Sequence, residues 1–323
     1  MKKVGVFMAL VMCSMSVFSQ IDSELIQKVS NFPTSFKKTE DLADIINRDF
    51  KTDLDKAAAI YTWIALNIEY DVKTFFSGKN MSVKFSYRTL EEKEIKEKEI
   101  RDKMIQTTLR KKEAVCEGYA SLYKALCDLC GLESVVISGA SKNTYQLIGK
   151  EPKGSDHAWN AVKINNQWHL LDVTWGAGSV DPSTRKFVKE FTDGYFMMPS
   201  DRFFTQHLPE DKNWRLVEMN EKDFAEAPFY HHAYLFSDDE LITPDKGIIT
   251  RVKKGEVSFL LKTNKGINNL YFAFDRAKKS TSIEFSKNGD QLTFSVPVGN
   301  RNSGYFTVYA DGSPLFSFKL NIK

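Results

Sequence analysis

Two apolar runs, HAWNAVKI at 157–164 and QWHLLDVTW at 167–175, are separated only by Asn165-Asn166. Asparagine tolerates positive φ, so this pair makes a two-residue hairpin turn and the flanking runs are its strands. The turn sets the register. Ile164 pairs with Gln167, Trp159 then faces Asp172, and His157 faces Thr174. His157 and Asp172 fall on one face as diagonal neighbours, with α-carbons ~7–8 Å apart, within reach of an imidazole–carboxylate hydrogen bond. His169 has the opposite parity and points to the other face. A one-residue slip would destroy the His157–Asp172 relationship, and a two-residue slip would keep it.

A histidine held by a carboxylate calls for a nucleophile. AVCEGYA at 114–120 leads into SLYKALCDLCG at 121–131, a helix that begins beside Cys116 and stops at Gly131. Open N–H groups and the helix dipole favour negative charge, so a cysteine placed there can hold a thiolate. Taken alone, a cysteine is more often a small buried apolar residue. With His157 and Asp172 the set is complete for thiol-based acyl transfer: the sulfur attacks an amide, the imidazole moves protons, and the carboxylate fixes the tautomer. Amides at the helix start would stabilise the oxyanion, with a second donor from the 63–70 stretch left unassigned.

The rest of the chain sets the context. Residues 1–19 read as an export signal, with Lys2-Lys3, an apolar run at 4–12 and Val17-Phe18-Ser19 before Gln20. The segment is too short, and too interrupted by Ser14 and Ser16, for a membrane span. Lipid anchoring at Cys13 ranks lower, because Met12 rather than a small residue precedes it. Removing Lys2 and Lys3 leaves 43 basic residues against 42 acidic, so the net charge falls from +3 to +1. That balance gives no support to a nucleic-acid partner or a general membrane attraction. The exported chain keeps Cys116, Cys127 and Cys130, an odd number that flags a free thiol. Cys127 and Cys130 form a C-x-x-C late in the helix, where neither a redox site nor a zinc site places it. Both read as core thiols, with a local disulfide as the lesser alternative.

Helices are expected around 39–46 and 56–70, and a short strand at 133–138. The mixed-charge run at 90–103 reads as a solvated helix or mobile insertion, and it could sit by the mouth of the cleft. Residues 220–228 read as a linker. Beyond them, runs at 247–252, 257–263, 269–275, 282–286, 291–296, 305–310 and 315–322 alternate with turn residues, the pattern of a β-sandwich. His231-His232 beside Asp238-Asp239 reads as a solvated loop rather than a metal-ligand set.

VCEGYA, DHAWNAV and WHLLDVTW, in that order, resemble the transglutaminase-like superfamily of papain-type fold. IYTWIALNIEYD at 60–71 resembles that family's preceding helix. Residues 195–217 (with His207, read here as a packing or capping histidine) resemble the tail of the branch containing the kyphoscoliosis peptidase and a cytokinesis protein. The likeness covers roughly 39–217, and the 90–103 insertion departs from it. It implies an α+β fold, with the cysteine helix packed on an antiparallel sheet and an all-β, immunoglobulin-like sandwich behind it. It also matches Cys116 to the nucleophile, His157 to the base and Asp172 to the orienting acid. No cofactor or metal is expected, and the absence of a D-x-D-x-D cluster leaves calcium dependence without support.

The expected organisation is a signal at 1–19, a catalytic domain at 20–222 and a β-sandwich at 223–323. The expected function is an exported cysteine peptidase or amidase acting on protein or peptide amides through a thioester. A crosslinking transglutaminase is the alternative, since the triad serves both. A non-catalytic cell-envelope scaffold is the alternative of another class, with the β domain as the region that would meet an envelope partner.

Overall fold

The buried centre of the first half is a helix apolar on every side. In the computed structural model, which describes residues 21–77 and 85–322, Ala57 to Ala65 form an unbroken buried run. The expected export signal, Cys13 included, lies outside the described residues. The helices leading up to the cysteine are α1 (Ser23–Ser30), α2 (Thr39–Asp49), α3 (Asp53–Asn67), α4 (Val72–Phe76) and α5 (Leu90–Lys111). Thr52 caps α3, its hydroxyl accepting from the Asp55 N–H at 3.1 Å. The charged run expected at 90–103 is the solvated part of α5. Its flanks carry i,i+4 pairs such as Lys96–Glu92 and Lys98–Asp102, and only Ile105, Thr108 and Leu109 near its end are buried.

Two short strands, β1 (Glu69–Tyr70) and β2 (Glu113–Ala114), pair in parallel, with Tyr70 opposite Ala114. The next helix, α6 (Cys116–Leu129), therefore starts beside the end of β1. Gly131 closes it at φ +78°, and the Leu132 N–H returns to the Cys127 carbonyl at 2.9 Å. Gly118 fits where little else would. A Cβ there would lie 2.6 Å from the Ala114 Cβ and 2.8 Å from the Thr108 hydroxyl.

The sheet behind this helix contains β3 (Ser134–Ser141), β4 (His157–Ile164), β5 (Gln167–Leu171) and, further along, β8 (His207–Pro209). Its order is β5-β4-β3-β8, and all its pairings are antiparallel. The expected hairpin register holds: Ile164 pairs with Gln167, and Asn165 and Asn166 have φ of 50° and 64°. The second run is shorter than expected. β5 stops at Leu171, and α7 (Val173–Ala177) follows. The cause is Asp172, whose carboxylate accepts from the Trp175 N–H at 3.1 Å and caps the turn. His157 consequently has no partner on β5, rather than facing Thr174 in a strand; on its other side it pairs with Gly139 of β3.

After β6 (Gly178–Asp181), β7 (Lys186–Lys189) and α8 (Ser200–Phe203), the expected linker contains a helix, α9 (Glu221–Glu226). Asn220 and Asp223 form a reciprocal capping box there. Next come β9 (Phe229–Tyr230), α10 (His232–Leu235), β10 (Glu240–Thr243), β11 (Ile248–Ile249), β12 (Glu256–Lys262) and β13 (Leu270–Phe274). The chain closes with β14 (Thr281–Ile283), β15 (Phe285–Asn288), β16 (Gln291–Pro297), β17 (Ser303–Ala310) and β18 (Ser313–Asn321).

One sheet runs β10-β12-β16-β15; the other runs β11-β18-β17-β13-β14, with β9 on β18. Phe259 of the first sheet stacks with Phe316 of the second at 5.8 Å, inside one shared apolar core. No helix among the described residues is long and apolar enough to cross a membrane.

Residues 231–239 are not a solvated loop. His231 Nε2 meets the Ser317 hydroxyl at 2.9 Å, His232 Nε2 meets the Tyr195 hydroxyl at 3.0 Å, and buried Asp239 pairs with Lys265 at 3.3 Å. His231, His232 and Asp239 thus have three different partners, and β9 beside them pairs with β18 of the second sheet.

Candidate active site

Cys116 is the first residue of α6 and is partly exposed, while Cys127 and Cys130 on the same helix are buried and also free. Val115, at the cap position, offers no side-chain acceptor, so no side chain covers the first-turn amides. Burial pushes the Cys127 thiol far up and the Cys130 thiol up to about 11. Neither can form a thiolate near neutral pH, which separates them chemically from a partly exposed thiol at a helix start.

His157 and Asp172 meet as the hairpin parity predicts. The Nε2 of His157 lies 2.6 Å from the Asp172 Oδ2, and both residues are buried. Burial alone would drive the imidazole toward neutrality. The Asp172 charge and hydrogen bond outweigh it, a hydrogen bond and charge from Cys116 add to them, and His157 is raised to about 10. Burial likewise works against the Asp172 charge, but His157 and then His207 hold its carboxyl well below the usual range. The contribution from Cys116 puts its side chain near the His157 ring. His169, on β5, pairs with Val162 of β4 and is lowered by burial.

The sequence reading did not place His207 here. It is fully buried, and its Nε2 lies 3.0 Å from the same Asp172 Oδ2. Its ring does pack, stacking on Phe203 at 4.0 Å, but packing is only part of its position. Trp175 was also missed; it stacks on His157 at 5.3 Å and closes on His207 at 4.4 Å. The only earlier pointer to His207 was its place in the family-like tail, because nothing local in sequence joins residue 207 to residue 172.

His157, Asp172 and His207 have ligand-type atoms within 4.8 Å of one another, a spacing a metal ion could use. Two ligands on one tetrahedral zinc stand roughly 3.3 Å apart. The 2.6 Å His157–Asp172 separation is a hydrogen bond and is too short for that.

Within the 63–70 stretch, the indole N–H of Trp63 donates to the Pro33 carbonyl at 2.9 Å, deep in the core. Tyr70 is the residue near the thiol. Its phenol is raised by burial first and then by the charge of Cys116, and its ring packs against Phe75 and Tyr119.

Residues 40–173 match the family model described as the transglutaminase-like superfamily. The kyphoscoliosis peptidase of Mus musculus is 26% identical over 284 residues, covering 86% of this chain and 40% of that protein. The Homo sapiens kyphoscoliosis peptidase is 27% identical over the same shares. The chain thus spans about two fifths of the length of these curated relatives. A crystal structure of a TGase aligns with 47% of this chain and 31% of its own, at 16% identity and a TM-score of 0.27.

Proposed function

Residues 40–173 form a transglutaminase-like domain, and from that premise we propose that the protein is a thiol-dependent acyl-transfer enzyme cleaving protein or peptide amides. The observation that carries the reading is the buried 2.6 Å His157–Asp172 bond beside a cysteine at an uncapped helix start. His157 takes the Cys116 thiol proton, the sulfur attacks the amide carbonyl carbon, and the oxygen gains the electron pair of the C=O bond. The Cys116 N–H receives that oxyanion, and the half-buried Tyr70 hydroxyl is the second donor. His157 then gives its proton to the leaving nitrogen as the C–N bond breaks, leaving a thioester on Cys116. Water attacks the thioester carbonyl carbon as His157 takes its proton, the C–S bond breaks with its electron pair and that proton returning to Cys116, and the acid product leaves. Asp172 holds the imidazole in one orientation throughout and stays ionised.

Hydrolysis is preferred over transamidation because two of the relatives matched over most of this chain carry the printed name peptidase. In this reading the chain is exported, on the strength of the 1–19 pattern. Residues 223–323 form an immunoglobulin-like domain, supported by the two-sheet core, which can meet an envelope partner. The test incubates the protein with peptide libraries, with and without a primary amine, and reads product mass. Cleavage products that vanish in Cys116→Ala are expected. An amine adduct would move the assignment to crosslinking, and no turnover at all would favour a scaffold.

A further inference from the structure

The carboxylate at the end of the proposed triad has a second imidazole on it. Asp172 Oδ2 faces His157 Nε2 at 2.6 Å and His207 Nε2 at 3.0 Å. An ionised carboxylate can only accept, so each of these nitrogens carries a hydrogen. The other ring nitrogen of His207, Nδ1, faces the Phe203 carbonyl, also only an acceptor, at 3.3 Å. Of the two contacts the one to the carboxylate is the stronger, because it is charge-assisted.

The ring has little freedom to turn away. Phe203 stacks on it at 18°, and Trp159 and Trp175 close in at 5.0 and 4.4 Å. The backbone is pinned as well. His207 pairs with Ser141 of β3, and Gly139 of the same strand pairs with His157. A Cβ on Gly139 would fall 2.2 Å from the Leu208 carbonyl, so a glycine there is what lets β8 come close enough to deliver His207.

We infer that His207 is a positioning residue for acyl transfer at Cys116: its Nε2–H fixes the Asp172 oxygen that His157 uses, and thereby the tautomer and aim of the base. This rests on the acyl-transfer reading of Cys116. His207 lies beyond the family-matched segment, which ends at 173. The working constellation therefore needs β8 in addition to that segment.

The test has two arms on the full chain. In 15N-histidine NMR at pH 7, His207 is expected to show a protonated Nε2 and slow exchange of the Nε2 proton; a bare Nε2 overturns the inference. In the second arm, iodoacetamide labelling of Cys116 is followed against pH in His207→Gln, which keeps an N–H near the Nε2 position, and in His207→Leu, which does not. The Leu variant is expected to label at least about tenfold more slowly at pH 6 and to shift its profile upward, with Gln restoring most of the rate. Equal losses in both variants, or an unchanged profile in a Leu variant with native near-UV circular dichroism, overturn it. If the Leu variant does not fold, the wild-type NMR result decides. Wild-type Cys116 labelling no faster than Cys127 and Cys130 would overturn the acyl-transfer reading along with it. A fast wild-type Cys116 with a bare His207 Nε2 overturns this inference alone.

Discussion

Asn160, in the middle of β4, donates from Nδ2 to the carbonyl of Ala120, one turn into the cysteine helix, at 3.0 Å. The same amide group also reaches the Val135 carbonyl at 3.1 Å. These bonds tie the strand carrying His157 to the helix carrying Cys116. Asn160→Ala should lower stability by about 1–2 kcal/mol in urea unfolding. It should also slow Cys116 alkylation near pH 6, because base and thiol are no longer held at fixed separation. A stable variant with wild-type labelling would show that the tie is incidental.

Gly118 offers a test of how α6 is seated. Any Cβ there meets the Ala114 methyl and the Thr108 side chain, both well inside contact distance. Gly118→Ala should cost about 1–3 kcal/mol despite alanine's better helix propensity. Thermal unfolding measures this directly, and a stabilised variant would contradict the packing described.

Lys142 is 1% exposed, and its ammonium donates to the Phe224, Ala225 and Ala227 carbonyls near the end of α9. Burial lowers it to about 7, far below its unfolded value of 10.5. The unfolded chain therefore binds more protons between these values, and this residue's contribution to stability rises with pH across that window. The stability of the wild type minus that of Lys142→Met should rise between pH 7 and 9.5 by an amount approaching about 2 kcal/mol. A flat difference would contradict the burial.

His157 has the opposite sign. Its folded value of about 10 lies above the ordinary 6.5. Its stabilisation is therefore fully present below pH 6.5 and is lost as pH rises toward 10. The stability advantage of the wild type over His157→Gln should shrink across that range in denaturant titrations. Lys142 is common to both chains and cancels.

The hairpin and its two site residues were legible because strand parity is local: once Asn165 and Asn166 turn, His157 and Asp172 must share a face. The glycine stop at 131 was legible for the same kind of reason. The misreadings came where two local signals compete. Val173 and Thr174 are β-branched and read as strand, yet Asp172 before them is a capping residue, and the cap won. Asn220 and Asp223 signal a helix start, but the short segment behind them carries too little apolar periodicity to show it. His207 belongs to a third kind. Its bond to Asp172 spans 35 residues and depends on β8 closing against Gly139, and no local pattern reports that.

The central claim is that Cys116 is an activated nucleophile coupled to His157. Site-resolved mass spectrometry after limiting iodoacetamide at pH 6 tests it most directly. Cys116 should label well ahead of Cys127 and Cys130, and His157→Ala should remove most of that lead. Slow and equal labelling of all three cysteines in the folded wild type would contradict the account.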